Sequence, residues 1–355
     1  MERLSAERIE RELASANHCG ELRAWRNRLA EAFPQHLLLA DPLGWNRQLN
    51  RVHDALIRRA VELAERAMEE EGSGKAPLPY AFVLYGSGGR GEQTMWSDQD
   101  NGLIYADPPD EETEERAKRY FEALAEKIRA NLLQAGYPPC SGGVICTNAN
   151  WRKPLSEYKA MLREWLDDPI WENVRYLLIA ADMRTVYGDG AIGASALDDL
   201  FGRVAADPAM LRHMLHNTLH HKVSLGVFGQ LIKERYGEDA GGVDVKYGAY
   251  IPIVNGLRLL ALEAGVRSTS TEERIAALVG AGRVDEEIGA DWEESLSIAL
   301  KLRSETPYQE QDGYYTTRGK LTAEQLTKER VRELKLCLRI GIDLQKYVKK
   351  AVLKE

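Results

Sequence analysis

The alternation of apolar and polar positions divides the chain into stretches of different texture. Over residues 1–72 apolar side chains recur at spacings of three and four, as in Leu22, Trp25, Leu29 and Phe33, and again in Val52, Leu56, Ala60 and Leu63. That period gathers them on one face and predicts a helical arm. The run EEGSGKAPLP at 70–79 breaks it with charge, glycine and proline. Two short runs follow, YAFVLY at 80–85 and NGLIYA at 101–106; aromatic and β-branched in part, they predict strands. Helical spacing returns over 111–134 through Ala117, Tyr120, Phe121, Leu124, Ile128 and Leu132, with Gly136 and Pro138-Pro139 as the stop. GGVICTNA at 142–149 reads as a third strand. From Pro154 onward the pattern predicts helix, interrupted at GDGAIG, EDAGGVD and QEQDGYYTTRGK. The expected class is α+β: a helical region over 1–75, an α/β unit over 76–152 and a helical domain over 153–355.

Composition changes this picture little. At 355 residues, 44% hydrophobic and 29% charged, the chain has material for a sizeable core and several domains. A net charge of −8 argues against general binding of duplex nucleic acid, which calls for a large basic face. Cys19, Cys140, Cys146 and Cys337 form no CxxC pair and read as reduced thiols. No apolar run reaches the length of a membrane span, and the charged, amphipathic start is unlike a signal peptide. The expectation is a cytoplasmic protein.

The chemistry concentrates between the first two strands, in GSGGRGEQTMWSDQDN. Glycines allow a tight turn and leave amide N–H groups unshielded, so Gly86-Ser87-Gly88 can cradle phosphate oxygens, with the Ser87 hydroxyl as a further donor. In an extended segment alternate residues face one way, which sends Asp98 and Asp100 to the same side. Two adjacent carboxylates repel unless cations neutralise them, and Mg²⁺ is well served by one or two carboxylates plus phosphate oxygens. A phosphate turn followed one strand later by two metal-holding acids describes a nucleoside-triphosphate site.

These residues resemble the nucleotidyltransferase superfamily of DNA polymerase β, whose signature is Gly-Ser, a spacer and Asp-x-Asp. The likeness is greatest to the branch holding the bacterial uridylyltransferase of the PII protein and the glutamine synthetase adenylyltransferase. A bacterial domain-of-unknown-function family often joined to CBS and cyclic-nucleotide-binding domains is closer still; no part of this sequence resembles those two regulatory domains. CSGGVICTNANW at 140–151, AADMRTVYGD at 180–189 and VDVKYGAYIPIVNGLRLLAL at 243–262 are similar to further blocks of these proteins. The resemblance implies a small mixed sheet of the polymerase-β kind between the helical arm and a C-terminal helical bundle. It implies Asp98 and Asp100 as catalytic residues and ligands of Mg²⁺ or Mn²⁺. Gly86, Ser87, Gly88, Arg90 and Lys246 would bind the nucleotide, with Glu92, Ser97 and Asn148 as auxiliaries. Arg90 is open to two roles, steadying a phosphate or fixing the turn through a carboxylate such as Glu92.

One departure stands out. Members of the superfamily usually bring a third carboxylate from a neighbouring strand, and GGVICTNA holds none; Asn148 is its nearest polar side chain and cannot act as a base. Two functions follow as expectations. The first is an enzyme moving a nucleoside monophosphate to a hydroxyl, on a regulatory protein or another acceptor, with release of pyrophosphate. The second is a nucleotide-binding sensor without turnover. His213, His216 and His220, at i, i+3 and i+7, share a helix face that could ligate zinc but reads as an interfacial or solvated face. QEQDGYYTT reads as a surface connection, and the amphipathic C-terminal helix as one that packs on its own domain.

Overall fold

The computed structural model describes residues 6–33, 35–138, 140, 142–220, 223–226 and 229–353; Pro139, half of the expected double-proline stop, lies outside them. A four-stranded mixed sheet stands at the centre. Its strands are β1 (Tyr80–Leu84), β2 (Asn101–Tyr105), β3 (Arg152–Pro154) and β4 (Arg184–Gly188), in the order β3-β2-β1-β4. β1 runs antiparallel to β2 and β4, and β2 runs parallel to β3.

β1 and β2 are apolar at nearly every position because both faces of the sheet are covered. Phe82, Leu84, Leu103 and Tyr105 point into a core built by the N-terminal helices and the helix Glu111–Gln134. Ala81, Val83, Tyr85 and Ile104 point into a second, larger core shared with the C-terminal helices. The expected helical arm is there, as five helices among the described residues, the longest being Pro42–Glu70. Asp41 caps that helix by accepting from the Gly44 amide at 2.8 Å, and Pro42 occupies the first turn, where its missing N–H costs nothing.

Two expectations about strands need correction. GGVICTNA is not a strand. It runs beside β2, but only the Val144 carbonyl accepts a β2 amide, that of Asn101, while the Cys146 amide goes to the Asn101 side-chain oxygen at 2.9 Å. A side chain occupies a ladder position, Gly143 turns the backbone at φ +70°, and regular pairing with β2 begins only at Arg152. Conversely, β4 lies in the stretch expected to be helical: RTVYG is β-branched and aromatic but too short to register between two long helical patterns. The sheet is thus completed by residues well beyond 152.

The interruption near 309 is also more ordered than a surface connection. β6 (Tyr308–Gln311) and β7 (Tyr314–Thr317) form a hairpin, while β5 (Val243–Asp244) pairs with β8 (Lys320–Leu321). The hairpin turn is Asp312-Gly313, both at positive φ, as a two-residue turn matched to strand twist requires. The C-terminal helix Lys328–Leu353 buries Leu334, Leu338, Leu344 and Val348 in its own domain, against the helices Ile251–Glu263 and Glu286–Ser304. Among the described residues no helix is long and apolar enough to cross a membrane, and all four cysteines are free thiols.

Candidate functional site

The β1–β2 ladder places the site. Leu84 pairs with Asn101, and the next rung joins the Tyr85 amide to the Asp100 carbonyl at 3.0 Å. Asp100 therefore arrives beside Gly86, where the chain leaves β1 for a short helix, Gly86–Arg90. Gly86 sits at φ +55°, and a Cβ there would come 2.6 Å from Asp100 Oδ2. Only a residue without a side chain brings the turn and the acid this close. Gly89 is equally constrained, since a Cβ would overlap the carbonyl oxygen of Asp182. The amides of Gly86, Ser87 and Gly88 meet no acceptor among the described residues, as expected for the first turn of a helix.

Residues 97–100 belong to no helix or strand and lead directly into β2, with Ser97 and Gln99 buried and Asp98 and Asp100 half-buried. Both acids line one cavity of about 450 Å³, together with Gly86, Ser87, Ser97 and Lys246. Neither closes an ion pair with a lysine or arginine among the described residues. Burial, reinforced by the charge of Asp98, pushes the Asp100 carboxyl up to about 6. The Cys140 thiol, donating to Asp100 Oδ1 at 3.0 Å, and the more distant Lys246 and Arg90 offset this in part. A divalent cation fits the donors, two carboxylates and a serine hydroxyl on one cavity.

Behind the acids lies a buried ion network. Arg90 donates from Nε to Glu92 (2.9 Å), from Nη1 to Asp182 (2.5 Å) and from Nη2 to the Tyr250 hydroxyl (2.9 Å). Every nitrogen is committed to protein, so of its two expected roles the geometry supports fixing the turn. Asp182 also receives Arg258 through two nitrogens (2.9 and 2.6 Å) and Arg274 at 2.9 Å. Burial alone would raise its pKa; Arg258, Arg90 and Arg274 outweigh burial and hold it well below the usual carboxylate range. Glu92 ties the turn to the C-terminal half by accepting from Tyr250 and from the Thr271 amide. Arg184 in β4 grips the other end of the short helix, donating to the Gly88 and Gly89 carbonyls while paired bidentately with Asp54 at 2.7 and 2.9 Å.

Lys246 opens the wide π turn Lys246–Tyr250 and enters the cavity from the helical side. Ser97 anchors its own loop, its hydroxyl accepting from the Thr94 amide at 2.9 Å. Asn148 is exposed, accepts from the Asn150 amide, donates to the Gly143 carbonyl and is not among the residues lining the cavity. The imidazoles of His216 and His220 meet Trp171 edge-on with ring centres 5.6 and 4.9 Å away, and no metal cluster forms among the described residues.

Sequence reasoning missed several contributors. Asp182 is the third acid of the cavity, but three guanidiniums hold it. Thr316 and Thr317 of the hairpin line the cavity, and Tyr308 and Tyr315 pack on Trp96 at 5.4 and 4.5 Å. The Asp-Gly pair between alternating residues was the available signal for that hairpin. Arg26 and Arg303 carry no local pattern that would have marked them.

A Gly-Ser turn and an Asp-x-Asp pair on a small mixed sheet, facing a helical domain across a cavity, are the architecture of a nucleotidyltransferase. Residues 40–172 match the family described as "Putative nucleotidyltransferase DUF294", and residues 208–352 match its companion, "Putative nucleotidyltransferase substrate binding domain". The two matches together take in most of the chain, which belongs to this family. The chain has no match among curated proteins.

Proposed function

We propose that this protein transfers a nucleoside monophosphate from a nucleoside triphosphate to a hydroxyl acceptor, with Mg²⁺ or Mn²⁺. The observation that carries the reading is the convergence of Asp98 and Asp100, neither in an ion pair among the described residues, with the Gly86-Ser87 turn and Lys246 on one cavity. Asp98 and Asp100 would hold the cation, whose chemistry is to neutralise charge on the reacting phosphate. The amides of Gly86, Ser87 and Gly88 and the Ser87 hydroxyl would bind phosphate oxygens. Lys246 would steady the nucleotide from the helical side. The acceptor oxygen bonds to the α-phosphorus, the bond from the α-phosphorus to the β-phosphate oxygen breaks, pyrophosphate leaves, and the hydroxyl proton passes to solvent or to the departing pyrophosphate.

Asp182 is no candidate for the base, because its oxygens are occupied by arginines. The reaction would then draw chiefly on positioning and charge stabilisation, which phosphoryl transfer through a loose transition state permits. By resemblance, the acceptor hydroxyl belongs to a regulatory protein.

That no free third carboxylate lines the cavity among the described residues favours the second reading, a sensor that binds nucleotide without turnover. Incubation with labelled ATP, UTP, CTP or GTP, either metal and host lysate separates the two. Metal-dependent transfer lost in Asp98→Asn and Asp100→Asn supports the enzyme; saturable binding with no transfer in any combination supports the sensor.

A further inference from the structure

Arg303, near the end of the helix Glu286–Ser304, is 7% exposed and lines the cavity. Its guanidinium lies 3.9 Å over the Tyr250 ring, and Nη1 makes one long contact, 3.4 Å, to the Glu92 carbonyl. Among the described residues no carboxylate lies within ion-pair distance of it, and no acceptor meets its other nitrogens. Glu92, whose backbone it touches, spends its carboxylate on Arg90, Tyr250 and Thr271 instead. A charge this buried is ordinarily paired, because the lost hydration is otherwise uncompensated.

Its surroundings deepen the imbalance. In the network behind the site, among the described residues, Arg90, Arg258, Arg274 and Arg303 are set against two carboxylates, Asp182 and Glu92. Lys246 adds a further positive charge on the same side of the cavity, also without an ion pair among the described residues. The helical wall is therefore a buried surface with excess positive charge, and the two side chains left unmatched both border the open space.

We propose that Arg303 and Lys246 form an anion subsite on the helical wall, and that its ligand is a phosphate group. Arginine supplies parallel N–H donors suited to phosphate oxygens, and the Tyr250 ring holds the guanidinium plane in place. The phosphate has two possible carriers, the triphosphate tail of the nucleotide or a phosphorylated acceptor. Only the naming of these carriers rests on the nucleotidyl-transfer reading; the subsite rests on the charges.

The test is binding of pyrophosphate, tripolyphosphate and orthophosphate to the full chain in EDTA at low ionic strength, by calorimetry, with unfolding midpoints recorded in parallel. The subsite is expected to bind at least one of these anions, with affinity falling about tenfold or more in Arg303→Gln, as loss of a charge-assisted pair implies. Arg303→Lys should recover part of it while the ligand-free unfolding midpoint stays put. Binding of tripolyphosphate or pyrophosphate in competition with ATP assigns the subsite to the nucleotide tail. Arg303-dependent orthophosphate binding that ATP does not displace assigns it to the acceptor. Absence of anion binding to the unaltered protein, or equal affinity in Arg303→Gln, overturns the proposal. So does a loss in Arg303→Gln that tracks a lowered midpoint and is not recovered by lysine. Asp98→Asn, which removes a negative charge from the same cavity, should retain or strengthen this metal-free binding while transfer is lost, so failure of transfer and failure of the subsite are read separately.

Discussion

Arg26 Nη2 donates to the Ser97 carbonyl at 3.0 Å, joining the N-terminal helix Cys19–Asn27 to the segment that presents Asp98 and Asp100. Arg26 is 1% exposed, its guanidinium lies 3.7 Å over the Tyr137 ring, and Nε and Nη1 meet no acceptor among the described residues. An unbalanced buried charge is a poor stabiliser but a stiff anchor. Arg26→Met should therefore keep or raise stability in urea unfolding while lowering nucleotidyl transfer by roughly tenfold, as displaced reacting groups do. A fall in stability with unchanged transfer would refute this role.

The two constrained glycines should separate stability from binding. Gly89→Ala forces a methyl group into the Asp182 carbonyl and should cost about 1–3 kcal/mol or more, as overpacking does. Gly86→Ala meets a side-chain carboxylate that can swing away, so its stability cost should stay near the ~1–2 kcal/mol of a left-handed alanine. It should nevertheless weaken metal-dependent nucleotide binding strongly, since the displaced carboxylate is that of Asp100. Denaturation curves and calorimetric titrations of both variants decide the point.

Asp182→Asn removes the one charge shared by Arg90, Arg258 and Arg274. Breaking a buried ion pair from one side typically costs about 3–5 kcal/mol, and chemical denaturation should show a loss of that order.

Asp100 sets a pH dependence. Its folded-state carboxyl, raised to about 6 from an ordinary value near 4, keeps its proton where an unfolded aspartate has lost it. In the absence of a cation this contributes stability that is full below pH 4 and is lost as pH rises through about 6. Cation binding needs the ionised form, so Mg²⁺ should raise the unfolding midpoint more at pH 7 than at pH 5, and Asp100→Asn should remove the difference.

His53 acts in the opposite sense. Burial, with the nearby charge of Arg26, lowers its pKa to about 3, and the neutral ring bridges the Tyr137 hydroxyl (2.8 Å) and the Thr94 carbonyl (3.1 Å). The unfolded chain takes up the proton near pH 6.5, so this contribution is present above that value and lost as pH falls toward 3. Stability measured over that range should decline, and His53→Gln should flatten the decline.

Local signals in the sequence were enough for the helical arm, for β1 and β2, and for the meeting of Gly86, Asp98 and Asp100. Period, glycine conformation and strand alternation act within a few residues, and the ladder carries them into three dimensions. What escaped depends on distance along the chain. β4 is a strand because β1 offers it an edge, and GGVICTNA fails as one because the Asn101 side chain takes a ladder position. Asp182 looks like an ordinary surface acid until Arg258 and Arg274 are brought around it, and nothing near Arg303 in sequence shows that its carboxylate partner is missing.

The position of β4 bears on how the molecule can be divided. Residues 184–188 fall in neither matched stretch, 40–172 or 208–352, yet they pair with β1 along its length and carry the arginine that holds the Gly88 and Gly89 carbonyls. Expressed separately, the first stretch would have a bare β1 edge open to self-association, and neither piece should be autonomous. A chain nicked near Pro169, by contrast, should remain one particle on a sizing column, its halves clasped by the shared sheet.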